Sequence, residues 1–262
     1  MDLRLNGKVA LVGASSTGLG KAVALALAEE GTDVIICSRD SDKLRLVSEE
    51  IQKKGTKCLA IPTDLTKYSQ VQNLVTRSIE YFGKIDILVT NCGGPPSGEF
   101  LDFSVDDWKQ AINLNLMSTI YLCKEILPYM VKQNDGRVIM ITSVSVKQPI
   151  KGLILSNVTR AGVAGLAKSL SNEYGKNNIL VNIVCPGYTR TERVEQLAVS
   201  LSAKQGLKPV EMIQNWAQLN SLGRLATPEE FANVVVFLAS EKASHLTGTA
   251  IQIDGGLVKS LL

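Results

Sequence analysis

Short, continuous apolar runs alternate along this chain with longer stretches of helical periodicity. Val9–Val12 is the first such run, and it breaks into a Gly/Ser turn. Residues 21–30 then read as a helix ended by Gly31. The pattern repeats with a strand at 34–37, a helix at 43–54, a strand at 58–61 stopped by Pro62, and a helix at 71–82 closed by Gly83. A fourth strand at 87–90 leads into a long helical stretch, 105–130, in which Pro128 predicts a kink. A strand at 137–141, a helix within 153–174 and a strand at 179–184 follow. Residues 188–222 carry no clear period and read as irregular. Thr227-Pro228-Glu229-Glu230 then opens a helix with Thr as N-cap and Pro as first helical residue. A last strand, 250–253, precedes Asp254-Gly255-Gly256.

The strands lack polar alternation, as strands do when helices cover both faces. Strict β-α alternation requires right-handed crossovers and hence a parallel sheet. The expected architecture is α/β, a doubly wound parallel sheet. No linker, repeat or low-complexity stretch interrupts it, so residues 1–262 are expected to form a single domain.

Composition narrows the function classes. The chain has 262 residues, 45% hydrophobic and 20% charged, which suits a globular protein with a large core. The net charge of +3 comes from well-mixed residues, so nothing marks a nucleic-acid footprint. No apolar run reaches the ~18 residues of a membrane span. Residues 1–8 are too charged for a signal peptide. The five cysteines form no Cys-x-x-Cys pair and read as reduced thiols, which points to the cytoplasm. With His245 the only histidine, neither a His-based triad nor a His-rich metal site is expected.

The first strand runs into Gly13-Ala14-Ser15-Ser16-Thr17-Gly18-Leu19-Gly20 and then a helix. A diphosphate needs backbone N–H groups at a helix N-terminus with no Cβ in the way. Gly18 and Gly20 offer the close approach, and Ser15, Ser16 and Thr17 add hydroxyls. An ordinary glycine-rich turn is the competing reading, but placement after the first strand favours binding. About 20 residues on, the second strand should end beside the adenosine ribose, where an acid favours NAD. Here Ser38 and Arg39 stand first and Asp40 follows. A guanidinium matches phosphate geometry, so NADP is expected ahead of NAD. A solvated surface charge is the alternative for Arg39.

Taken in order, these segments resemble the short-chain dehydrogenase/reductase family over nearly the whole chain. Ala10-Leu11-Val12 with Ser16-Thr17-Gly18-Leu19-Gly20 is similar to the family's cofactor loop. Asp64-Leu65 resembles its adenine contact and Thr90-Asn91-Cys92-Gly93 its Asn-Asn-Ala-Gly segment. Asn115 resembles the family's structural or catalytic Asn. Asn182-Ile183-Val184-Cys185-Pro186-Gly187 resembles the Pro-Gly loop near the nicotinamide, with Thr191 shortly after. Thr247-Gly248 and Asp254-Gly255-Gly256 are similar to the C-terminal signature. The resemblance implies a Rossmann-type fold, a nicotinamide cofactor bound by Gly13, Ser15, Ser16, Thr17, Gly18, Leu19, Gly20, Asp64, Leu65, Asn91, Gly93, Gly187 and Thr191, and a homotetramer or dimer through the long helices. The activity it implies is like that of 3-oxoacyl-carrier-protein reductases.

Two departures stand out. Ala14 occupies the place of the loop's first Gly, and Ala fits there if φ is negative. The catalytic pattern of Ser, then Tyr thirteen residues later, then Lys four residues on, becomes Ser143, Ser156 and Arg160. None of the six tyrosines has a Lys four residues after it, so no shifted register restores the motif. A serine hydroxyl is a far weaker acid than a Lys-assisted phenol, and Arg effectively never gives up its proton. Three outcomes stay open. Ser143 and Ser156 polarise a carbonyl while water supplies the proton; or the substrate needs no proton, as in hydride addition to an iminium carbon; or the fold binds NADP(H) without turnover, as a regulatory protein. Arg160 belongs near the cofactor ribose, and Asn115 is structural or water-holding.

The cleft for a small-molecule substrate should lie beside residues 94–100 and 188–222, which follow strand ends. Tyr188, Met212, Trp216 and Leu219 are candidate apolar walls, with core packing as the alternative. Lys147, Lys151, Arg190 and Arg193 are candidate contacts for an anionic substrate, with a solvated face as the commoner reading.

Overall fold

In the computed structural model, which describes residues 1–261, seven parallel strands form one sheet in the order β3-β2-β1-β4-β5-β6-β7. The strands are β1 (Val9–Val12), β2 (Asp33–Ser38), β3 (Cys58–Pro62), β4 (Ile87–Thr90), β5 (Gly136–Ile141), β6 (Ile179–Pro186) and β7 (Ala250–Ile253). Every apolar run expected to be a strand is one. Their burial explains the missing alternation: β1 and β4 are buried at every position.

Successive side chains on a strand point to opposite faces, and the two faces collect different helices. Ala10, Val12, Val34 and Ile36 pack with helices α1 (Gly18–Glu29), α2 (Ser41–Gln52) and α9 (Pro228–Ala239). Val9, Leu11, Ile35 and Leu88 pack with α3 (Tyr68–Phe82), α5 (Ser118–Gln133) and α6 (Ile154–Tyr174). Strand order reverses between β1 and β4, so the helices following these strands leave on opposite sides. A crevice must open there at the carboxyl ends of the strands.

Three elements depart from the sequence pattern. The opening helix starts inside the glycine turn, at Gly18, because Thr17 takes the extended N-cap conformation. The long helical stretch is split: α4 (Val105–Ile112) and α5 flank a wide π-turn at Asn113–Met117. Pro128 lies within α5 on its exposed side. The segment read as irregular holds two helices, α7 (Glu192–Gln205) and α8 (Pro209–Leu219). These form a small layer of their own, in which Leu197, Ala198, Leu201, Met212 and Trp216 pack against Leu153 and Leu225. Its amphipathic faces escaped the pattern because they bury against each other and not against the sheet. At α9, Thr227 accepts from the Glu230 N–H at 3.3 Å and Glu230 Oε2 accepts from the Thr227 N–H at 2.9 Å, the capping predicted there.

Candidate active site

A cleft of about 490 Å³ opens at the carboxyl edge of the sheet. At one end stands the glycine loop. Gly13 closes against Val89, whose carbonyl accepts its N–H at 2.9 Å. A Cβ at Gly13 would lie 2.9 Å from the Asn91 carbonyl oxygen, and one at Gly20 2.4 Å from the Ala14 carbonyl oxygen. Glycine is required at both places, since real Cβ contacts never come so close. The result is a bare turn leading into α1. Thr17 and Leu19 line the cleft, Thr17 makes no side-chain capping bond, and the first turn of α1 holds no acid. Its N–H groups and the Thr17 hydroxyl are therefore unspent, as an anion cradle requires. Thr191 caps α7 by accepting the Val194 N–H and sits over Gly18, its Cγ2 3.6 Å from where a Gly18 Cβ would be. A second helix N-terminus thus faces the loop.

Two loop expectations need correcting. Ala14 has φ of +46°, so it occupies the left-handed region and not the negative φ that would suit an L-residue. The neighbouring glycine, Gly13, does not take the positive angle. Ser15 is fully buried; its hydroxyl donates to the Val12 carbonyl at 2.9 Å and accepts the Cys37 N–H at 3.0 Å. It ties β1 to β2 and has no hydroxyl left for a phosphate. Ser16 lies half-buried beside the cleft without lining it.

At the outer end of the loop, Arg39 is exposed and lines the cleft. Ser38 exchanges hydrogen bonds with the backbone of Asp40 at 3.3 Å. The Asp40 carboxylate is the N-cap of α2, accepting the N–H groups of Asp42 and Lys43 at 3.1 and 3.0 Å. The only acid at this position is occupied by its own helix. Asp64 lies near Arg39. Partial burial pushes its carboxyl up, but the Thr66 hydroxyl and N–H and the charges of Arg39 and Lys67 outweigh this and hold it below the usual range. Leu65 is buried under Gly13. Asn91 and Gly93 follow β4 and line the cleft, as does Gly187 after β6, where a Cβ would come within 2.8 Å of Asp254.

The opposite end brings together Ser143, Ser156 and Arg160, all lining the same cleft. Ser143 lies two residues beyond the end of β5 and accepts the Ser145 N–H at 3.1 Å. Ser156 and Arg160 share one face of α6, as the i, i+4 spacing predicts. Arg160 is buried; its Nε donates to Ser156 Oγ at 3.1 Å, and Nη1 donates to the carbonyls of Thr142 at 3.0 Å and Ile141 at 3.4 Å. With an N–H donor on each serine oxygen, both hydroxyl hydrogens remain to be given to a ligand. A charged donor on Ser156 also makes its hydroxyl a stronger donor than a free serine's. Asn115 does not line the cleft. It sits in the π-turn, donates to Thr159 Oγ1 at 2.8 Å and accepts from the Cys92 thiol at 3.1 Å. It clamps α6 to the loop after β4, a positioning role.

No phenol replaces the missing tyrosine. Tyr188 lines the cleft, but it lies flat on Trp216 with ring centroids 4.3 Å apart, and burial pushes its pKa up to about 12. Trp216 and Met212 stand behind it in the core of the α7–α8 layer, and Leu219 faces solvent, so of the four expected walls only Tyr188 lines the cleft. Of the four expected cations only Arg193 does. Sequence reasoning passed over Cys92 and Glu192, which also line it; Cys92 is raised by burial against the opposing charge of Arg160. Their location after a strand end and beside Thr191 is the signal that places them there. Among the described residues no cluster of His, Cys, Asp or Glu could hold a metal, and no helix is long and apolar enough to cross a membrane.

A parallel sheet whose carboxyl edge opens into a cleft at the strand-order switch, with a bare glycine turn under a helix N-terminus, defines a nucleotide-binding α/β architecture. Comparison with known proteins sharpens the class. Residues 13–258 match the family model described as Enoyl-(Acyl carrier protein) reductase. The chain is 37% identical over 256 residues to the oxidoreductase UcpA of Salmonella typhimurium, covering 97% of this chain and 95% of that one. It is 35% identical to the 3-oxoacyl-[acyl-carrier-protein] reductase FabG of Aquifex aeolicus, covering 98% of this chain and all of the relative. The crystal structure of L-sorbose reductase from Gluconobacter frateurii, complexed with NADPH and L-sorbose, superposes with a TM-score of 0.94 at 32% identity and covers 100% of both chains. The chain belongs to the short-chain dehydrogenase/reductase family and is an oxidoreductase of that family.

Proposed function

We propose that this chain is an NADP(H)-dependent oxidoreductase that transfers hydride to or from a small carbonyl or alcohol compound. The supporting observation is that one cleft joins the Thr17–Leu19 turn and Arg39 at one end to Ser143, Ser156 and Arg160 at the other. The residues fit the cofactor: the turn is free of Cβ atoms where the diphosphate must approach, and α1 leaves its first N–H groups unspent. Arg39 would hold the 2′-phosphate, because Asp40 is engaged as a helix cap and cannot serve a ribose hydroxyl equally well, while the Ser38 hydroxyl expected beside it is spent on the Asp40 backbone. NADPH, held by the turn and Arg39, would supply hydride to the substrate carbon. The Ser143 and Ser156 hydroxyls donate to the substrate oxygen, and the buried Arg160 charge stabilises the negative charge that develops there. A water molecule supplies the proton, since Arg160 does not release its own and no titratable partner stands on either serine to replace a proton it gave away. Losing a positioned general acid typically lowers the rate by ~10²–10⁴, so simple ketones are slow substrates. The absence of a phenolic acid at the reacting end also favours a second reading, a dinucleotide-binding regulatory protein that has kept the cradle.

We further take residues 1–262 as one functional domain in the cytoplasm, consistent with five free cysteines. A homo-oligomer through the long helices is supported by the open face of α6, where Val158 is exposed and a Cβ at Gly165 would meet nothing within 4 Å.

Direct titration tests the cofactor. NADPH should bind more tightly than NADH by ~10–100-fold, the worth of a charge-assisted phosphate contact, and Arg39→Ala should erase the preference. Equal affinity for both cofactors would remove the assignment of NADP. Following the absorbance of the reduced nicotinamide across carbonyls and imines separates the two readings: tight binding with no turnover on any class would select the regulatory one.

A further inference from the structure

Three arginines but only one acid line the cleft, and the acid is already engaged. Glu192 faces Lys43 at 3.9 Å across the rim. Arg39 stands at the outer end of the cleft, so the other two cations, Arg160 and Arg193, are left at the reacting end. Among the described residues neither has a carboxylate partner. Arg160 uses Nε and Nη1 on Ser156 and the end of β5, and its Nη2 group has no protein acceptor among those residues. Arg193, in the first turn of α7, reaches across to the loop after β4. Its Nη2 donates to the Pro95 carbonyl at 2.7 Å, leaving Nε and Nη1 without one. Gly94 is what admits it: a Cβ there would lie 2.7 Å from Arg193 Nε. Arg193 stays exposed at the rim, yet partial cover and the like charge of Arg160 both pull its pKa down.

Two guanidinium groups that repel each other across a cleft, held by neutral acceptors only, form a site completed by an anion. The cofactor's phosphates already have the α1 N-terminus and Arg39. The aromatic face of Tyr188 and the aliphatic side chains of Val194 and Leu197 lie on the same wall as Arg193 and suit an apolar body.

Resting on the oxidoreductase reading above, we propose that Arg193, with the free edge of Arg160, holds an oxyanion on the substrate. The substrate class is then a carbonyl or alcohol compound bearing a carboxylate or phosphate group next to a small apolar body. In the reducing direction the carbonyl carbon gains hydride, the C=O π pair moves to oxygen, and that oxygen takes a proton from water; the anionic group is unchanged.

The test is calorimetry on the protein loaded with NADP⁺, which cannot reduce a ketone. The probes are benzoylformate, phenyl phosphate and the neutral methyl benzoylformate. The wild type should bind one anionic probe at least about tenfold tighter than the ester, as a charge-assisted bond provides. The tighter anion identifies the group. Arg193→Gln should erase that preference while leaving NADP⁺ affinity within about twofold, and Arg193→Lys should restore part of it; thermal unfolding of both variants shows whether they are folded. No preference for either anion, or a preference unchanged in folded Arg193→Gln, overturns the proposal. A tenfold loss of NADP⁺ affinity in Arg193→Gln also overturns it, by assigning Arg193 to the cofactor. Should no nucleotide bind, the same benzoylformate titration on the free protein still reads the site: Arg193-dependent binding there would discard the oxidoreductase reading and keep the anion site, and its absence would discard both.

Discussion

The two ends of the cleft are built from different material. The glycine turn is a backbone site: what matters is where N–H groups point and where Cβ atoms are missing, and Gly13, Gly18 and Gly20 contribute by what they lack. The reacting end is a side-chain site, assembled from the end of β5, one face of α6, the loop after β4 and the first turn of α7. A backbone site fails when a single methyl is added, because carbonyls and strands cannot move aside. A side-chain site can exchange its chemistry at fixed geometry, and Ser156 and Arg160 stand on the same helix face that a Tyr and Lys would use.

The sharpest way to break this contrast is Gly20→Ala. The new methyl would stand 2.4 Å from the Ala14 carbonyl oxygen and 2.8 Å from Asn91 Nδ2, so the turn must open. Overpacking of this kind costs about 1–3 kcal/mol of stability. Displacing the N–H cradle should lower NADPH affinity by at least about a hundredfold, or ~2.7 kcal/mol. Titration and thermal unfolding on the same sample check both. Near-normal affinity would mean the diphosphate does not rest on this turn.

At the other end, exchange should be tolerated and should change the chemistry. Ser156→Tyr with Arg160→Lys restores a phenol whose acidity a nearby ammonium can raise. Given the usual worth of general acid catalysis, kcat/KM for a neutral ketone should rise by about tenfold or more while NADPH affinity stays within about threefold. A folded, cofactor-bound double variant with no gain would show that the cleft itself is not shaped for ketones.

The same contrast explains what the sequence made legible. The strands, their parallel sheet and the bare turn follow from local signals, apolar runs and glycines at fixed offsets, and all are in the structure. The spacing of Ser156 and Arg160 predicted one helix face because it depends on a single element. Which side chains meet across the cleft depends on long-range packing. Trp216 and Met212 therefore read as walls, though they form a layer core behind Tyr188. Arg193 could not be told from Lys147, Lys151 and Arg190 until α7 was seen to carry it toward Gly94. The π-turn at Asn113–Met117 was hidden because apolar periodicity runs through it almost unchanged. Its consequence is side-chain geometry: it turns Asn115 inward to hold Cys92 and Thr159.

The smallest effect probes the backbone site from the opposite direction, by removing a methyl. Ala14 holds φ of +46°, where an L-residue's Cβ crowds the following carbonyl, at a cost of roughly 1–2 kcal/mol. Ala14→Gly removes that strain. Against it stands the larger conformational freedom a glycine gives the unfolded chain, about 0.4–1 kcal/mol. The net gain should be about 0.5–1 kcal/mol, seen as a melting temperature higher by roughly 2 °C in a chain this size. NADPH affinity should not move beyond about twofold, since the N–H groups of the turn already point where the ligand needs them. A lower melting temperature would show that the Ala14 methyl makes contacts worth more than the strain it carries. The left-handed angle at this position would then be a compromise favoured by packing, and the backbone end of the cleft would depend on side chains after all.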